Sequence, residues 1–159
     1  WDGFTRVYQT DESASIPWAK VTAGTKVGDP NIGSIWWGDQ RHYSITTNAT
    51  IDPPVAEVEI TGTAPNASPS ALKLRVESVT PGVTGTLTIW FYKYTATAGW
   101  VQVFSGSSSP TEAAVEAIVT SNPAQYVNST TLRMRAKVRW EGDTGTSPVR
   151  IDEAVWLFK

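Results

Sequence analysis

The residues best placed to do chemistry lie between Gly85 and Phe104. This stretch reads Gly-Thr-Leu-Thr-Ile-Trp-Phe-Tyr-Lys-Tyr, then a short link from Thr95 to Gly99, then Trp-Val-Gln-Val-Phe. Side chains of an extended strand alternate between two faces. Leu87, Ile89 and Phe91 therefore share one face, and Thr88, Trp90, Tyr92 and Tyr94 share the other. In the second run Val101 and Val103 oppose Trp100, Gln102 and Phe104. If the aliphatic face meets the core, Trp90, Tyr92 and Tyr94 form an outward row that Trp100 joins across a hairpin. Such a row stacks flat, weakly polar ligand faces, and the C–H face of a sugar ring is one. By analogy with base stacking each ring contributes roughly 1–3 kcal/mol. The competing arrangement buries the rings, since large aromatics are usually mostly covered.

Other residues with chemical potential are more scattered. Arg133, Arg135, Lys137 and Arg139 alternate along Thr131–Trp140 and share one face, opposite Leu132, Met134, Ala136, Val138 and Trp140. Four like charges in a row call for acidic neighbours, and Glu57, Glu59 and Glu77 are the candidates. The row is then a salt-paired outer face, or a set of donors for sugar hydroxyls or an acidic polysaccharide. In the Trp36-Trp37 pair one ring points inward and the other outward, so Trp37 is a further candidate ligand contact on a loop. The acidic pair Asp152-Glu153, with Asp39, Asp2 or Asp52, offers oxygen donors for a Ca²⁺ ion. No spaced acidic loop of the EF-hand type accompanies it. The carboxylates are few and scattered, so a glycosidase pair has little support. His42 is read as a surface or structural residue rather than a base.

The elements that must hold these residues are strands. Val55–Thr61 and Ala71–Glu77 alternate apolar and charged residues, as does Thr131–Trp140. Val149–Phe158 is apolar on both faces, with Ile151, Glu153, Val155 and Leu157 opposite Asp152, Ala154, Trp156 and Phe158. Earlier, Phe4–Gln9 and Ile16–Val21 read as strands, Gly24–Gly33 as a loop, and Ile35–Ile45 as two strands around Gly38-Asp39. Gly62–Ser70 reads as a loop. Thr111–Thr120 fits a strand better than a helical turn, and Asn122–Val127 a short turn or loop. Some eight to ten strands with turns every ten or so residues, and almost no helix, predict an antiparallel β-sandwich of jelly-roll or Greek-key type. The whole chain, residues 1–159, is expected to form one such domain.

Composition narrows the function classes. A net charge of −2 argues against nucleic acid, which demands concentrated positive charge. One His and no Cys leave no material for a His/Cys zinc site or a disulfide framework, and they weaken any nucleophile–base pairing. No run reaches the roughly twenty apolar residues of a membrane span. A start on Trp1 without a signal peptide fits a mature form or an excised domain. Charged residues are 18% of the chain, below the usual share, while Thr and Ser abound. Sequons at Asn48-Ala-Thr50, Asn66-Ala-Ser68 and Asn128-Ser-Thr130 suit an exported protein, although they also arise by chance in Thr/Ser-rich chains.

Val58–Thr63, Leu72–Glu77, the Trp-Phe-Tyr-Lys-Tyr hairpin, Leu132–Val138 and Ile151–Trp156 together resemble β-sandwich accessory modules of secreted microbial proteins. The pattern is similar in style to jelly-roll carbohydrate-binding modules of glycoside hydrolases. That resemblance implies a secreted, extracellular, non-catalytic module beside an attached catalytic domain. It also implies a structural Ca²⁺ near Asp152. The expected function is polysaccharide binding through Trp90, Tyr92, Tyr94, Trp100 and Trp37, aided by Arg133 and Arg135. A structural role as a cell-surface, adhesin or filament subunit that binds copies of itself is the alternative, and an enzyme comes third.

Overall fold

A computed structural model describes residues 2–7, 19–27, 42–48, 50–81, 85–142 and 148–159. The strands are β1 (Thr5–Arg6), β2 (Ala19–Ala23), β3 (Thr25–Val27), β4 (Tyr43–Thr46), β5 (Val55–Thr63) and β6 (Leu72–Val79). They continue as β7 (Thr86–Lys93), β8 (Gly99–Ser107), β9 (Ala113–Val119), β10 (Arg133–Glu141) and β11 (Val149–Phe158). A 3-10 turn, Pro123–Tyr126, precedes β10. Two antiparallel sheets form. The five-stranded sheet has the order β2-β5-β10-β7-β8; the six-stranded sheet has the order β3-β4-β11-β6-β9, with β1 also on β11. From β4 to β7 and from β8 to β11 the chain crosses between the sheets, as an antiparallel sandwich of jelly-roll type requires. No helix among the described residues is long and apolar enough to cross a membrane.

The core follows from alternation. Ala56, Val58 and Ile60 of β5, Ile89 and Phe91 of β7, and Met134, Ala136 and Val138 of β10 are buried on the inner face of one sheet. Leu72, Leu74 and Val76 of β6 meet them from the other. Trp140 and Trp156 are the largest fully buried side chains. Trp140 Nε1 donates to Ser78 Oγ at 3.3 Å, which joins the two sheets through the core. Phe91 packs on Trp156 with centroids 4.7 Å apart and meets Tyr126 edge-on at 5.9 Å.

Four local expectations need correction. Thr25–Val27, expected in a loop, is the edge strand β3, which pairs with β4. Gly62, expected to open a loop, is a residue of β5 opposite Met134. On β11 a bulge between Ile151 and Glu153 turns Ile151 inward with Ala154, Trp156 and Phe158, so strict alternation fails there. A second bulge, at Ile89/Trp90, pairs Phe104 with Ile89 and packs it against the core, away from Trp100 and Gln102. Pairing explains Gly62: a Cβ there would lie 2.6 Å from Trp156 Cδ1, in a core with no slack. Gly62→Ala is therefore expected to destabilise by about 1–3 kcal/mol, read by urea denaturation. An unchanged midpoint would mean that Trp156 repacks freely.

The asparagines of the three sequons are exposed or half-buried. Asn48, Asn66 and Asn128 each accept, through Oδ1, the backbone N–H two residues on, at 3.0, 2.9 and 3.0 Å.

Candidate functional site

The outer face of the five-stranded sheet carries the aromatic and cationic residues together. Strand pairing aligns Lys20, Glu59, Lys137, Trp90 and Gln102 in one rung across all five strands. The next rung in one direction holds Glu57, Arg139, Thr88 and Ser105, and toward the other end lie Thr61, Arg135, Tyr92 and Trp100. Because neighbouring strands are roughly 4.8 Å apart, the face reads as rows. Carboxylates lie on β5, cations on β10, and aromatics on β7 and β8.

Trp90, Tyr92 and Trp100 project outward and are half-buried. Tyr92 stands edge-on to Trp100 at 5.2 Å and to Tyr94 at 5.0 Å, so the three rings brace one another rather than lying flat in a row. Tyr94 lies just beyond β7. Its hydroxyl is buried and makes no hydrogen bond with the described residues. Burial raises the Tyr94 phenol above its ordinary value, with the charges of Arg135 and Arg133 pulling against it.

The cation row is both ion-paired and stacked. Arg135 donates from Nε to Glu59 Oε1 at 2.5 Å and from Nη2 to Glu59 Oε2 at 3.1 Å. Its guanidinium lies 4.6 Å from the Tyr92 ring centre and 5.1 Å from that of Trp100. Arg139 donates to Glu57 Oε2 at 2.7 Å and to Glu141 Oε1 at 3.2 Å, and lies 5.5 Å from the Trp90 ring centre. Glu57 also accepts from Thr22 Oγ1 at 2.7 Å. Burial raises the Glu57 carboxyl, but the Thr22 hydroxyl and the Arg139 and Lys137 charges outweigh it and hold it below the usual carboxylate range. Arg135 is raised further above its ordinary value, chiefly by its bond to Glu59, so its charge is permanent. Glu57 and Glu59 are thus partners of the basic row, as expected. Glu77 is not: it lies on the six-stranded sheet and accepts from Arg75 at 3.0 Å. Arg133 is at the start of β10, and its Nε is buried without a hydrogen bond to the described residues.

Sequence reasoning therefore grouped Trp90, Tyr92 and Trp100 as one outward row and the β10 cations as another; the pairing of β7 with β10 puts both on one face. It missed Lys20 and Thr22, which only the pairing of β2 with β5 brings there. Trp36, Trp37 and Asp39 lie outside the described residues.

Asp152 lies elsewhere, on the six-stranded sheet. It is buried at the β11 bulge, near His42, which precedes β4, and Glu112, which precedes β9. One ligand atom from each of these three residues fits within 4.8 Å of the others. Two of the other acidic residues named with it are engaged differently. Glu153 is buried in ion pairs with Arg6 and Arg75, and Asp2 accepts from Lys73 at 3.1 Å. His42 and Glu112 were not legible as partners, because chain separation hides them. The two carboxylates suit Ca²⁺, which takes oxygen ligands; the imidazole nitrogen does not, and fits a borderline ion such as Zn²⁺ better.

No family model matches the sequence, and no curated protein is similar to it. Solved structures with a similar fold include several carbohydrate-binding modules. One, described as CBM4 structure and function, is 10% identical with a TM-score of 0.49, over 89% of this chain and 78% of that one. The TmCBM61 complex with β-1,4-galactotriose is 12% identical with a TM-score of 0.47, covering 89% of this chain and 87% of that one. The CBM22-1 xylan-binding domain of Xyn10C from Paenibacillus barcinonensis is 6% identical with a TM-score of 0.44, covering 74% and 80%. Likenesses this distant say nothing about a ligand, which has to be read from the chain's own surface.

Proposed function

We propose that the chain is a non-catalytic carbohydrate-binding module and that polysaccharide lies across the outer face of the five-stranded sheet. One observation carries the reading: partly exposed Tyr92 and Trp100 brace each other, and ion-paired cations lie against Tyr92, Trp100 and Trp90 on a sheet of paired strands. A site built on paired strands is held in shape before ligand arrives, which reduces the ordering cost of binding. Trp90 and Trp100 supply stacking faces, while Tyr94, Arg133 and Arg135 mark one end of the face; Trp37 is kept as a further contact from outside the described residues. Such a module works outside the cell, where it concentrates an attached catalytic domain on its polymer.

The test is depletion of the purified domain by insoluble polysaccharides and retardation in gels holding soluble ones, with Trp90→Ala beside it. Binding to at least one polymer that Trp90→Ala weakens, with circular dichroism unchanged, supports the reading. Absence of binding across the panel, with concentration-dependent assembly in light scattering, would replace it with the self-associating structural subunit.

The cation expected near Asp152 is carried forward as a site formed by Asp152, His42 and Glu112, tying β4 and β11 to the segment before β9. Chelation is then expected to lower the melting temperature by several degrees, with Zn²⁺ restoring it more effectively than Ca²⁺. Equal melting with chelator and with either ion would remove the site.

A further inference from the structure

The sheet face is more cationic than a neutral sugar requires. Among the described residues, Lys20, Arg133, Arg135, Lys137 and Arg139 face Glu57, Glu59 and Glu141. Five positive charges against three negative leave an excess of two, on a chain whose net charge is −2. The excess is not spread evenly. Arg135 takes both oxygens of Glu59, and Arg139 and Thr22 take those of Glu57. Lys137, paired in register with Glu59, is left with Glu57 Oε1 at 3.6 Å, beyond hydrogen-bond reach. Its ammonium lies 4.9 Å from the Trp100 ring centre, and its register partner on β7 is Trp90. Among the described residues this ammonium therefore donates no hydrogen bond, and it sits beside Trp100 on the rung that Lys137 shares with Trp90.

The rings point the same way. Trp100 carries Arg135 and Lys137 within cation–π distance, and Trp90 carries Arg139. A neutral sugar stacking on these rings meets cations without neutralising them. A sugar bearing an anionic group satisfies the ammonium and stacks its C–H face beside it.

Building on the proposed carbohydrate-binding function, we infer that the face takes an acidic polysaccharide, whose carboxylate or sulfate oxygen is received by Lys137 beside Trp100, on the rung it shares with Trp90. The charge-assisted contact gives the site its selectivity, and the rings give it affinity for the sugar backbone.

The experiment compares polygalacturonate with the same polymer after carboxyl reduction, by isothermal titration at low and high salt. A sulfated galactan and its desulfated form make a second pair, and a panel of neutral polysaccharides is run alongside. The expected result is about tenfold tighter binding to the anionic member of at least one pair, weakened by salt. Whichever pair shows the difference identifies the anion. Lys137→Gln is expected to remove most of that difference, and Lys137→Arg to restore it. Equal binding within both pairs, with neutral polymers bound, overturns the inference and leaves the carbohydrate reading standing. A preference that survives Lys137→Gln overturns the assignment to Lys137. Absence of binding to every polymer overturns the inference together with the function on which it rests.

Discussion

Trp100→Ala is expected to weaken polysaccharide binding roughly tenfold to a hundredfold while leaving the fold intact. The expectation rests on position. Trp100 is on β8, the edge strand of the five-stranded sheet, where its ring is half-exposed and braced by Tyr92. A stacked ring of this kind contributes about 1–3 kcal/mol to binding, by analogy with bases on aromatic side chains. Little of the core depends on it, because the buried face of the sheet is carried by Ile89, Phe91, Ala136 and Val138. The cost to folding comes from loss of the Arg135 and Lys137 contacts, of order 0.5–1 kcal/mol each for exposed cation–π pairs, and of the Tyr92 edge contact, about 0.5–1.5 kcal/mol. Val101→Ala, an exposed change on the same strand, serves as the control. Affinity electrophoresis reads both variants. Equal retardation of Trp100→Ala and the parent protein would show that sugar does not stack on this ring.

The fold was legible where one face of a strand is apolar and the other polar. β5, β6, β7 and β10 all alternate in this way, and their buried faces are those the sequence pattern gives. Legibility failed at the bulges at Ile151/Glu153 and Ile89/Trp90, since an inserted residue reverses alternation without leaving a compositional mark. Ile151 and Phe104 were therefore assigned to the wrong faces. It also failed for β3, a short edge strand with every residue exposed, where no burial pattern exists to read. The candidate site divides along the same line. Trp90 and Tyr92 share a side of β7, and Arg135 and Arg139 a side of β10, because each strand alternates, which sequence can show; that the two sides are one surface follows from pairing. That Glu59 answers Arg135 while Lys137 is left with a distant oxygen depends on register between β5 and β10, some 75 residues apart, which sequence cannot show. His42 and Glu112 reach Asp152 only through the pairing of β4, β11, β6 and β9.

Glu57→Gln tests whether the ion-pair lattice under the face holds it in shape. Glu57 is 4% exposed and receives Thr22 and Arg139, with Lys137 close by. The amide keeps the size and one acceptor but removes the charge, leaving Arg139 and Lys137 without its counter-charge. Those cations are partly solvated, so the loss falls short of the roughly 3–5 kcal/mol seen when a fully buried pair is broken; about 1–3 kcal/mol is expected at neutral pH. Acid separates this effect from simple packing. The Glu57 carboxyl is held below its ordinary value in the folded chain, so its contribution is full above the unfolded value and fades as pH falls through the folded one. Urea midpoints of the parent protein and Glu57→Gln should therefore differ at neutral pH and converge in acid. A gap that stays constant with pH would assign the loss to packing instead. The same substitution removes the carboxylate nearest Lys137, so an acidic polysaccharide should bind Glu57→Gln more tightly than the parent, while its carboxyl-reduced form should not. Stability and anion affinity then move in opposite directions from one change, because the carboxylate that braces the cation row is also the group that competes with the ligand for it.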